Sequence, residues 1–226
     1  MEKPVKVMAV HTATALIEPI TNLFKEYLPQ VKLNHIADDS LIQEVIAKNR
    51  VTPAVRKRLF QYYFSAVDAG ADLIFNTCSS IGDVAMSGRL YINIPIIKID
   101  DAMAQKAVQT GNKIGVIATL PTTLKPTAEL VKAMAKKENK SIEIVEGLAE
   151  GAFQAVMSGD KDTHDSLILK ASEKIADKVD VIVLAQGSMA RMEEQLASVT
   201  GKTVLSSPKL GVLDVKNYLE NKGLIK

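Results

Sequence analysis

Short runs of apolar and β-branched residues alternate along this chain with longer segments in which apolar residues recur at helical spacing. The short runs predict strands at 5–10, 31–36, 72–76, 94–99, 113–118, 142–146, 180–185 and 203–205. The longer segments predict helices at 39–48, 53–69, 101–110, 127–137, 163–178, 188–199 and 209–219. This alternation is typical of βαβ units and predicts an α/β fold with parallel sheets flanked by helices.

The pattern also repeats within the chain. The segment 6–12 (KVMAVHT) is similar to 113–119 (KIGVIAT), 107 positions later, and 71–75 (ADLIF) is similar to 179–183 (VDVIV), 108 positions later. Similar offsets at two separate places predict two lobes of one topology. We expect the first lobe to span 1–100 plus 208–226 and the second 101–207, with the final helix packed on the first lobe.

Composition and charge exclude several classes of partner. The chain has 226 residues, of which 47% are hydrophobic and 24% are charged, and its net charge is only +2. Because basic residues form no dense patch, we expect no nucleic-acid partner. No uninterrupted apolar run reaches the ~18 residues that a membrane span needs, and the N-terminal run reads as a strand rather than a signal peptide. The expected location is the cytoplasm.

Cys78 is the single cysteine of the chain. One thiol excludes an intrachain disulfide and a zinc site of several cysteines. The glycine-rich phosphate loops of nucleotide-binding proteins and the HExxH pattern of zinc enzymes do not occur in the sequence. We therefore expect neither a metal nor a cofactor.

Small polar residues follow four of the predicted strands. In parallel α/β sheets, ligands bind beyond the carboxyl ends of the strands, and loops rich in hydroxyl and backbone N–H groups suit an anion. These loops predict binding of a small carboxylate substrate. The predicted binding residues are Thr12, Asn76, Thr77, Ser79, Ser80, Thr119, Thr122, Gly187 and Ser188.

Cys78 lies in the loop Asn76-Thr77-Cys78-Ser79-Ser80, after a predicted strand. Ser80 and Asp83 have the spacing of a capping pair, which predicts a helix start at Ser80. The positive end of that helix would favour a thiolate at Cys78, although a lone cysteine also suits the role of a small buried hydrophobe.

Gln186 is the counterpart of Cys78 at the offset of 108 positions. Its side chain could donate a hydrogen bond to a carboxylate or enolate oxygen of a substrate. Alternatively, it could simply bond the loop backbone.

Three segments carry a resemblance to a known family: 76–80 (NTCSS), 114–119 (IGVIAT) and 183–189 (VLAQGSM). In these segments and in its repeat, the chain resembles the aspartate/glutamate/hydantoin racemase superfamily over nearly its whole length. The resemblance implies two pseudo-symmetric α/β lobes with an active site in the inter-lobe cleft. It also implies cofactor-independent chemistry at the carbon next to a carboxylate or carbonyl group.

Racemases of this superfamily resemble one another in having two cysteines, one per lobe, which act on opposite faces of the substrate. Here Cys78 fills the first position and Gln186 the second, so the resemblance implies an atypical member with Cys78 and Gln186 as catalytic residues. Cys78 would act as base or nucleophile on an amino acid, a hydantoin or a dicarboxylate. A single-cysteine decarboxylase of malonate-type acids and a non-catalytic binding protein remain alternatives, and a homodimer remains open.

Other titratable residues are weaker candidates. His11 follows the first predicted strand and could pair with Cys78, although a packed or exposed histidine is the favoured interpretation. Arg191 could reach an anionic substrate or lie on the surface. His35 and His164 are expected to be structural or solvated.

Overall fold

A computed structural model describes residues 4–226 of the chain. The strands are β1 (Lys6–His11), β2 (Lys32–Ala37), β3 (Leu73–Asn76), β4 (Ile96–Lys98), β5 (Lys113–Ala118), β6 (Glu143–Leu148), β7 (Val181–Leu184) and β8 (Thr203–Ser206). The helices are α1 (Ile17–Tyr27), α2 (Ser40–Lys48), α3 (Pro53–Asp68), α4 (Gly82–Gly88), α5 (Asp101–Thr110), α6 (Pro121–Lys137), α7 (Ala152–Met157), α8 (Lys161–Ala176), α9 (Glu193–Thr200) and α10 (Ser207–Asn221). Three 3₁₀ turns cover Thr14–Leu16, Ser79–Ile81 and Gly187–Met192.

The strands form two parallel sheets of four strands each, in the orders β2-β1-β3-β4 and β6-β5-β7-β8. The predicted α/β fold is therefore confirmed. The chain divides into two compact lobes. The first comprises the described part of Met1–Ile99 together with Pro208–Lys226, and the second is Asp100–Ser207. Residues 1–3, which the sequence places in the first lobe, lie outside the described residues.

The two lobes share strand register as well as strand order. Val10 pairs with Asn76 across β1 and β3, and Ile117 pairs with Leu184 across β5 and β7. These pairs are related by the same offsets of 107 and 108 positions that relate the repeated sequence segments. The repeat in the sequence is thus a repeat of topology, and it makes equivalent positions in the two lobes comparable.

Because successive side chains of a strand alternate between the two faces of the sheet, the apolar residues of the first lobe form two hydrophobic clusters. Met8 and Val10 belong to a cluster with α2, α3 and α4, whereas Val7 and Ala9 belong to a cluster with α1 and α10. Both faces of β3 are buried, and the same is true of β7 in the second lobe. A central strand covered on both faces needs the near-continuous apolar sequence that both strands have.

The final helix belongs to the core of the first lobe. Val212, Val215 and Leu219 of α10 are fully buried in the cluster that covers Val7 and Ala9. Gly211 lies directly on the backbone of Ile99, where a Cβ would come 2.6 Å from the carbonyl oxygen. The absence of a side chain at Gly211 is what allows α10 to approach this closely.

Several element boundaries differ from the sequence prediction. Helix α6 begins at Pro121, six residues before the predicted start at residue 127, and its first position tolerates proline because an N–H there would have no helical partner. The predicted helix 188–199 begins instead as a 3₁₀ turn that precedes α9. Helices α1 and α7 were not predicted.

Within residues 4–226, no helix combines the length and apolarity that crossing a bilayer requires. The same residues contain no cluster of three or more His, Cys, Asp or Glu side chains suited to a metal ion.

Candidate functional site

The turn that carries Cys78 follows the buried strand β3. Cys78 has extended backbone angles, φ −126° and ψ 119°, and directly precedes the 3₁₀ turn Ser79–Ile81. Its side chain is half-buried and packs against the cluster that contains Val10 and Tyr63. The thiol is therefore at the carboxyl edge of the sheet, partly accessible, with an apolar wall on one side.

Helix α4 begins at Gly82, two residues after the predicted start at Ser80; its N-cap is Ile81, and the side chain of Ile81 forms no capping bond. Ser80 lies buried inside the 3₁₀ turn that precedes the helix. The carboxylate of Asp83 accepts a hydrogen bond of 2.5 Å from Arg56 on α3. The 3₁₀ turn also separates Cys78 from the seven-residue helix.

Buried side chains hold the Cys78 backbone in place. The hydroxyl of Tyr63 donates to Oδ1 of Asn76 at 2.9 Å, and Nδ2 of Asn76 donates to the carbonyl oxygen of Cys78 at 3.1 Å. Burial raises the pKa of Tyr63 far above its ordinary value, and negative charge at Cys78 and Asp83 raises it further. Tyr63 therefore stays protonated and donates. Asn76, a predicted binding residue, uses its amide to position the turn.

Thr77 is joined to a pair of histidines. Its Oγ1 lies 2.9 Å from Nδ1 of His11, and Nε2 of His11 lies 2.9 Å from Nδ1 of His35. His11 is fully buried, and its pKa is lowered to about 4 by burial and by the charge of His35. Because both ring nitrogens of His11 have these partners, it is the packed histidine that the sequence favoured.

The other predicted residues of the first lobe lie near this turn in the fold. Thr12 follows β1 and is buried, and the backbone N–H of Thr77 bonds the carbonyl oxygen of Val10 at 3.1 Å. The ends of β1 and β3 are thus joined. Ser79 is half-buried and Ser80 is buried.

Gln186 occupies the same local position in the second lobe as Cys78 in the first. Its backbone angles are φ −124° and ψ 132°, and it directly precedes the 3₁₀ turn Gly187–Met192. Its Oε1 accepts from the backbone N–H of Thr119 at 2.7 Å, and its Nε2 donates to Oγ1 of Thr119 at 2.6 Å. The side-chain amide of Gln186 is therefore bonded at both ends to Thr119, at the end of the neighbouring strand β5.

Thr122 differs from Thr119 in having an unused hydroxyl. Its Oγ1 is buried and has no hydrogen-bond partner within residues 4–226. A buried polar atom in this condition is costly unless a ligand or water satisfies it. Of the remaining predicted residues, Gly187 is half-buried and Ser188 is exposed.

A charged cluster lies at the end of β2 that was not predicted from the sequence. The sequence prediction placed Asp38 only at the start of a helix. The Asp38 carboxylate accepts hydrogen bonds from Tyr62 at 2.5 Å, from Ser40 at 2.7 Å and from Arg58. Burial would raise the pKa of Asp38, but these donors and the charge of Arg58 outweigh burial and lower it. The i, i+4 spacing of Arg58 and Tyr62 was the only sequence signal.

Arg191 forms an ion pair within the second lobe. It donates to both oxygens of Asp165, with Nη1 2.6 Å from Oδ2, and Nδ1 of His164 lies 2.7 Å from Oδ1. At the offset of 108 positions, Arg191 corresponds to Asp83. At the same offset Arg56 corresponds to His164, which bonds Asp165.

The fold is similar to those of several solved racemases. Glutamate racemase from Bacillus anthracis has a TM-score of 0.74 and 16% identity, with 98% of this chain and 84% of that chain covered. Allantoin racemase from Klebsiella pneumoniae gives 0.70 and 14%, over 97% and 89%. Unliganded arylmalonate decarboxylase is less similar, at 0.55 and 13%, over 95% and 92%.

A comparison with curated proteins finds no match to this chain. The sequence does match the profile of one family, described as Asp/Glu/Hydantoin racemase, over residues 5–215. This match spans far more than half of the chain and agrees with the resemblance seen in the sequence. The chain therefore belongs to the Asp/Glu/hydantoin racemase family.

Proposed function

We propose that this chain is a cofactor-independent isomerase of the racemase type. Its substrate is a small acid, namely an amino acid, a hydantoin or a dicarboxylate, and it reacts at the carbon next to a carboxylate or carbonyl. Membership of the racemase family supports the reaction class. The observation that carries the proposal is the position of Cys78, half-buried at the carboxyl edge of the sheet on a turn fixed by Asn76 and Tyr63.

Cys78 acts as the base in this proposal. The thiolate takes the proton of the substrate carbon: the C–H bond breaks, an S–H bond forms, and the electron pair moves onto the carbonyl oxygen as an enolate. Return of the proton completes the cycle. General base catalysis of this kind contributes about 10²–10⁴-fold to the rate.

The enolate oxygen needs hydrogen-bond donors placed where its charge develops. On the first lobe, we assign this role to the hydroxyl and backbone groups of Thr12, Ser79 and Ser80. Asn76 and Thr77 hold the turn, since the N–H and the hydroxyl of Thr77 both donate to Val10. On the second lobe, the groups assigned to the substrate are Thr119, Thr122, Gly187 and Ser188. The unpartnered Oγ1 of Thr122 supports this assignment, since a carboxylate oxygen would satisfy it.

Gln186 supports one-sided chemistry. An amide has no proton to donate at a useful pKa, and both ends of this amide are bonded to Thr119. Cys78 therefore removes the proton from one face, and inversion requires the planar enolate to receive a proton from water on the other face. Alternatively, the thiolate adds to a substrate double bond, the electron pair moves onto the carboxylate, the resulting single bond rotates, and the S–C bond then breaks to restore the double bond. Gln186 contributes by fixing Thr119 rather than by exchanging a proton.

The test is proton exchange in deuterated water. Wild-type protein is incubated with amino acids, hydantoins and dicarboxylates, and NMR follows loss of the proton next to the carboxylate while chiral chromatography follows inversion. We expect exchange with at least one class and a loss of about 10²–10⁴-fold in Cys78→Ala. Ser65→Ala, on the exposed surface of α3, is the matched control and should retain the wild-type rate. Turnover that survives in Cys78→Ala contradicts the proposal.

Decarboxylation of malonate-type acids is the second candidate, because the chain has one thiol and shares its fold with arylmalonate decarboxylase. Release of carbon dioxide from a substituted malonate, lost in Cys78→Ala, would favour it. Tight binding of a small acid without exchange or decarboxylation would instead indicate a binding protein.

A further inference from the structure

A chain of hydrogen bonds crosses the ends of three neighbouring strands in the first lobe. Thr77, beyond β3, has its Oγ1 3.1 Å from the carbonyl oxygen of Val10 and 2.9 Å from Nδ1 of His11, at the end of β1. Nε2 of His11 lies 2.9 Å from Nδ1 of His35 on β2, and the two rings stack with centroids 5.1 Å apart. The two imidazoles therefore share one hydrogen bond.

The chain continues onto helix α1. Nε2 of His35 lies 3.2 Å from Oγ1 of Thr21, and this Oγ1 donates to the carbonyl oxygen of Ile17 at 2.7 Å. At each end, a hydroxyl thus lies between a histidine nitrogen and a backbone carbonyl oxygen. Carbonyl oxygens only accept, so each hydroxyl that bonds one must direct its proton away from the histidine.

Counting protons shows that the neutral chain cannot form all of these bonds. The five hydrogen bonds between the carbonyl of Val10 and that of Ile17 require five protons. Two threonine hydroxyls and two neutral imidazoles supply one each, which makes four. In the neutral pair, one of the five hydrogen bonds must therefore be lost, and loss of the bond from Thr77 to Val10 is one of these arrangements.

One added proton removes this conflict. If His35 is doubly protonated, it donates to His11 and to Thr21. His11 then donates through Nδ1 to Thr77, and both threonines donate to their carbonyl oxygens. A second added proton would place one N–H of His11 against one N–H of His35, so the pair accommodates one proton and opposes two.

The pKa directions agree with this order of protonation. Burial lowers the pKa of His35 below its ordinary value of 6.5, and burial together with the charge of His35 lowers that of His11 to about 4. Since His35 is half-buried and His11 fully buried, His35 takes the first proton.

The charged groups on the surrounding elements are mostly solvated or paired. On α1 these groups are Glu18, Lys25 and Glu26, all of them exposed. Strand β2 carries the exposed Lys32 and is followed by Asp38, which accepts hydrogen bonds from Arg58 and Tyr62, while Cys78 follows β3. On α10 they are the exposed Lys209, Glu220 and Lys222, the half-buried Asp214, and Lys216, which lies near Glu220.

We propose that the His11–His35 pair binds one exchangeable proton and that this proton sets the direction of the hydroxyl of Thr77, the residue before Cys78. When the proton is bound, Thr77 accepts from His11 and donates to Val10. When it is absent, the hydroxyl has a second arrangement in which it donates to His11. The inference rests on the proposed function in one respect only, namely that Cys78, on the same turn as Thr77, is the reacting group.

The direct test is an NMR titration of the imidazole nitrogens in the wild-type protein, which needs no substrate. We expect His35 to titrate first, with a pKa below its ordinary value of 6.5, while His11 stays neutral until about pH 4. In that step His11 should become wholly the Nδ1–H tautomer. Both rings titrating together near pH 6.5, or a His11 that keeps its proton on Nε2 after His35 is charged, would overturn the proposal.

Two variants test the link to the thiol turn. His35→Gln keeps a side chain that can donate and accept but cannot titrate, and Lys25→Gln on the exposed face of α1 removes a charge away from the chain. The pKa of His11 should rise in His35→Gln and stay unchanged in Lys25→Gln. If His35→Gln does not fold, the wild-type titration still decides the matter.

Alkylation of Cys78 by iodoacetamide provides the second readout, because the protein has one thiol. We expect the ratio of the wild-type alkylation rate to the His35→Gln rate to change over the pH range in which His35 titrates. The ratio of the wild-type rate to the Lys25→Gln rate should stay constant over the same range. A ratio to His35→Gln that is flat across pH overturns the link between the proton and the thiol turn. Absence of catalytic turnover would reject the proposed function and leave the titration result intact.

Discussion

Gln186 holds Thr119 with both ends of its side-chain amide. Its Oε1 accepts from the Thr119 backbone N–H at 2.7 Å and its Nε2 donates to the Thr119 hydroxyl at 2.6 Å. Thr119 is buried, so water does not readily replace these bonds. The residue at the position of Cys78 in the second lobe therefore joins the ends of β5 and β7.

Replacement of Gln186 should destabilise the protein. We expect Gln186→Ala to lower the free energy of unfolding by about 1–3 kcal/mol, because it leaves the buried N–H of Thr119 without an acceptor. Gln186→Glu keeps that acceptor and should cost less. Urea denaturation measures both, with Gln154→Ala on the exposed side of α7 as the control. Equal losses in Gln186→Ala and Gln154→Ala would contradict the assignment.

Tyr63→Phe tests the support of the Cys78 turn. The substitution removes the donor to Oδ1 of the fully buried Asn76 and should cost about 1–3 kcal/mol of stability. It should also change the alkylation rate of Cys78, since Asn76 bonds the carbonyl oxygen of that residue. Tyr91→Phe is the matched control, because Tyr91 is 70% exposed. A wild-type alkylation rate in Tyr63→Phe would show that the turn does not depend on this hydroxyl.

Gly211→Ala should destabilise the packing of α10. In a free helix, alanine is more stable than glycine by about 1 kcal/mol. Here the added Cβ would lie 2.6 Å from the carbonyl oxygen of Ile99, and overpacking of this kind costs about 1–3 kcal/mol. We expect a net loss in the melting temperature, while Asn217→Ala on the exposed face of the same helix should not show it. A stabilised Gly211→Ala would mean that α10 can move away from Ile99.

His11 should make stability depend on pH. Its pKa is about 4 in the folded protein and 6.5 in its ordinary state, so the unfolded chain binds the proton more tightly. Stability is then fully present above pH 6.5 and falls as the pH decreases toward 4, by at most about 1.4 kcal/mol per pH unit and about 3 kcal/mol in total. His35 acts in the same direction.

Urea denaturation between pH 7 and 4 measures this dependence, with His11→Gln expected to flatten the curve. The carboxyl groups of Asp38 and Asp165 act in a separate window, because their lowered pKa values remove stability only below their ordinary value of 3.8. Identical pH profiles in the wild type and His11→Gln would contradict the pKa of His11.

Local sequence information was sufficient where one element determines its own structure. Strand β5 and helix α5 begin and end at the predicted residues, because β-branched alternation and helical apolar spacing are properties of consecutive residues. The repeat was visible for the same reason, since equivalent strands need the same buried pattern. Helix α6 shows the limit: the predicted start at residue 127 is six residues late, because the helix continues through Pro126 from Pro121.

The polar networks of the candidate site could not be read in this way. His11 and His35 are 24 positions apart, Thr77 and His11 66, and Arg58 and Asp38 20. A capping pair was predicted for Ser80 and Asp83 because they are near neighbours in sequence, whereas the bond from Arg56 to Asp83 spans 27 positions. These partners depend on which strand ends lie side by side and on which helix covers them.

The sequence by itself thus determined the α/β class, the twofold repeat, and the position of Cys78 and Gln186 after equivalent strands, since hydrophobic periodicity and loop position are local. The tertiary structure decided that Gln186 bonds Thr119, that His11 is neutral, and that Asn76 supports the Cys78 turn. A buried polar group must find a hydrogen-bond partner, and only the packing of distant segments determines which partner it finds.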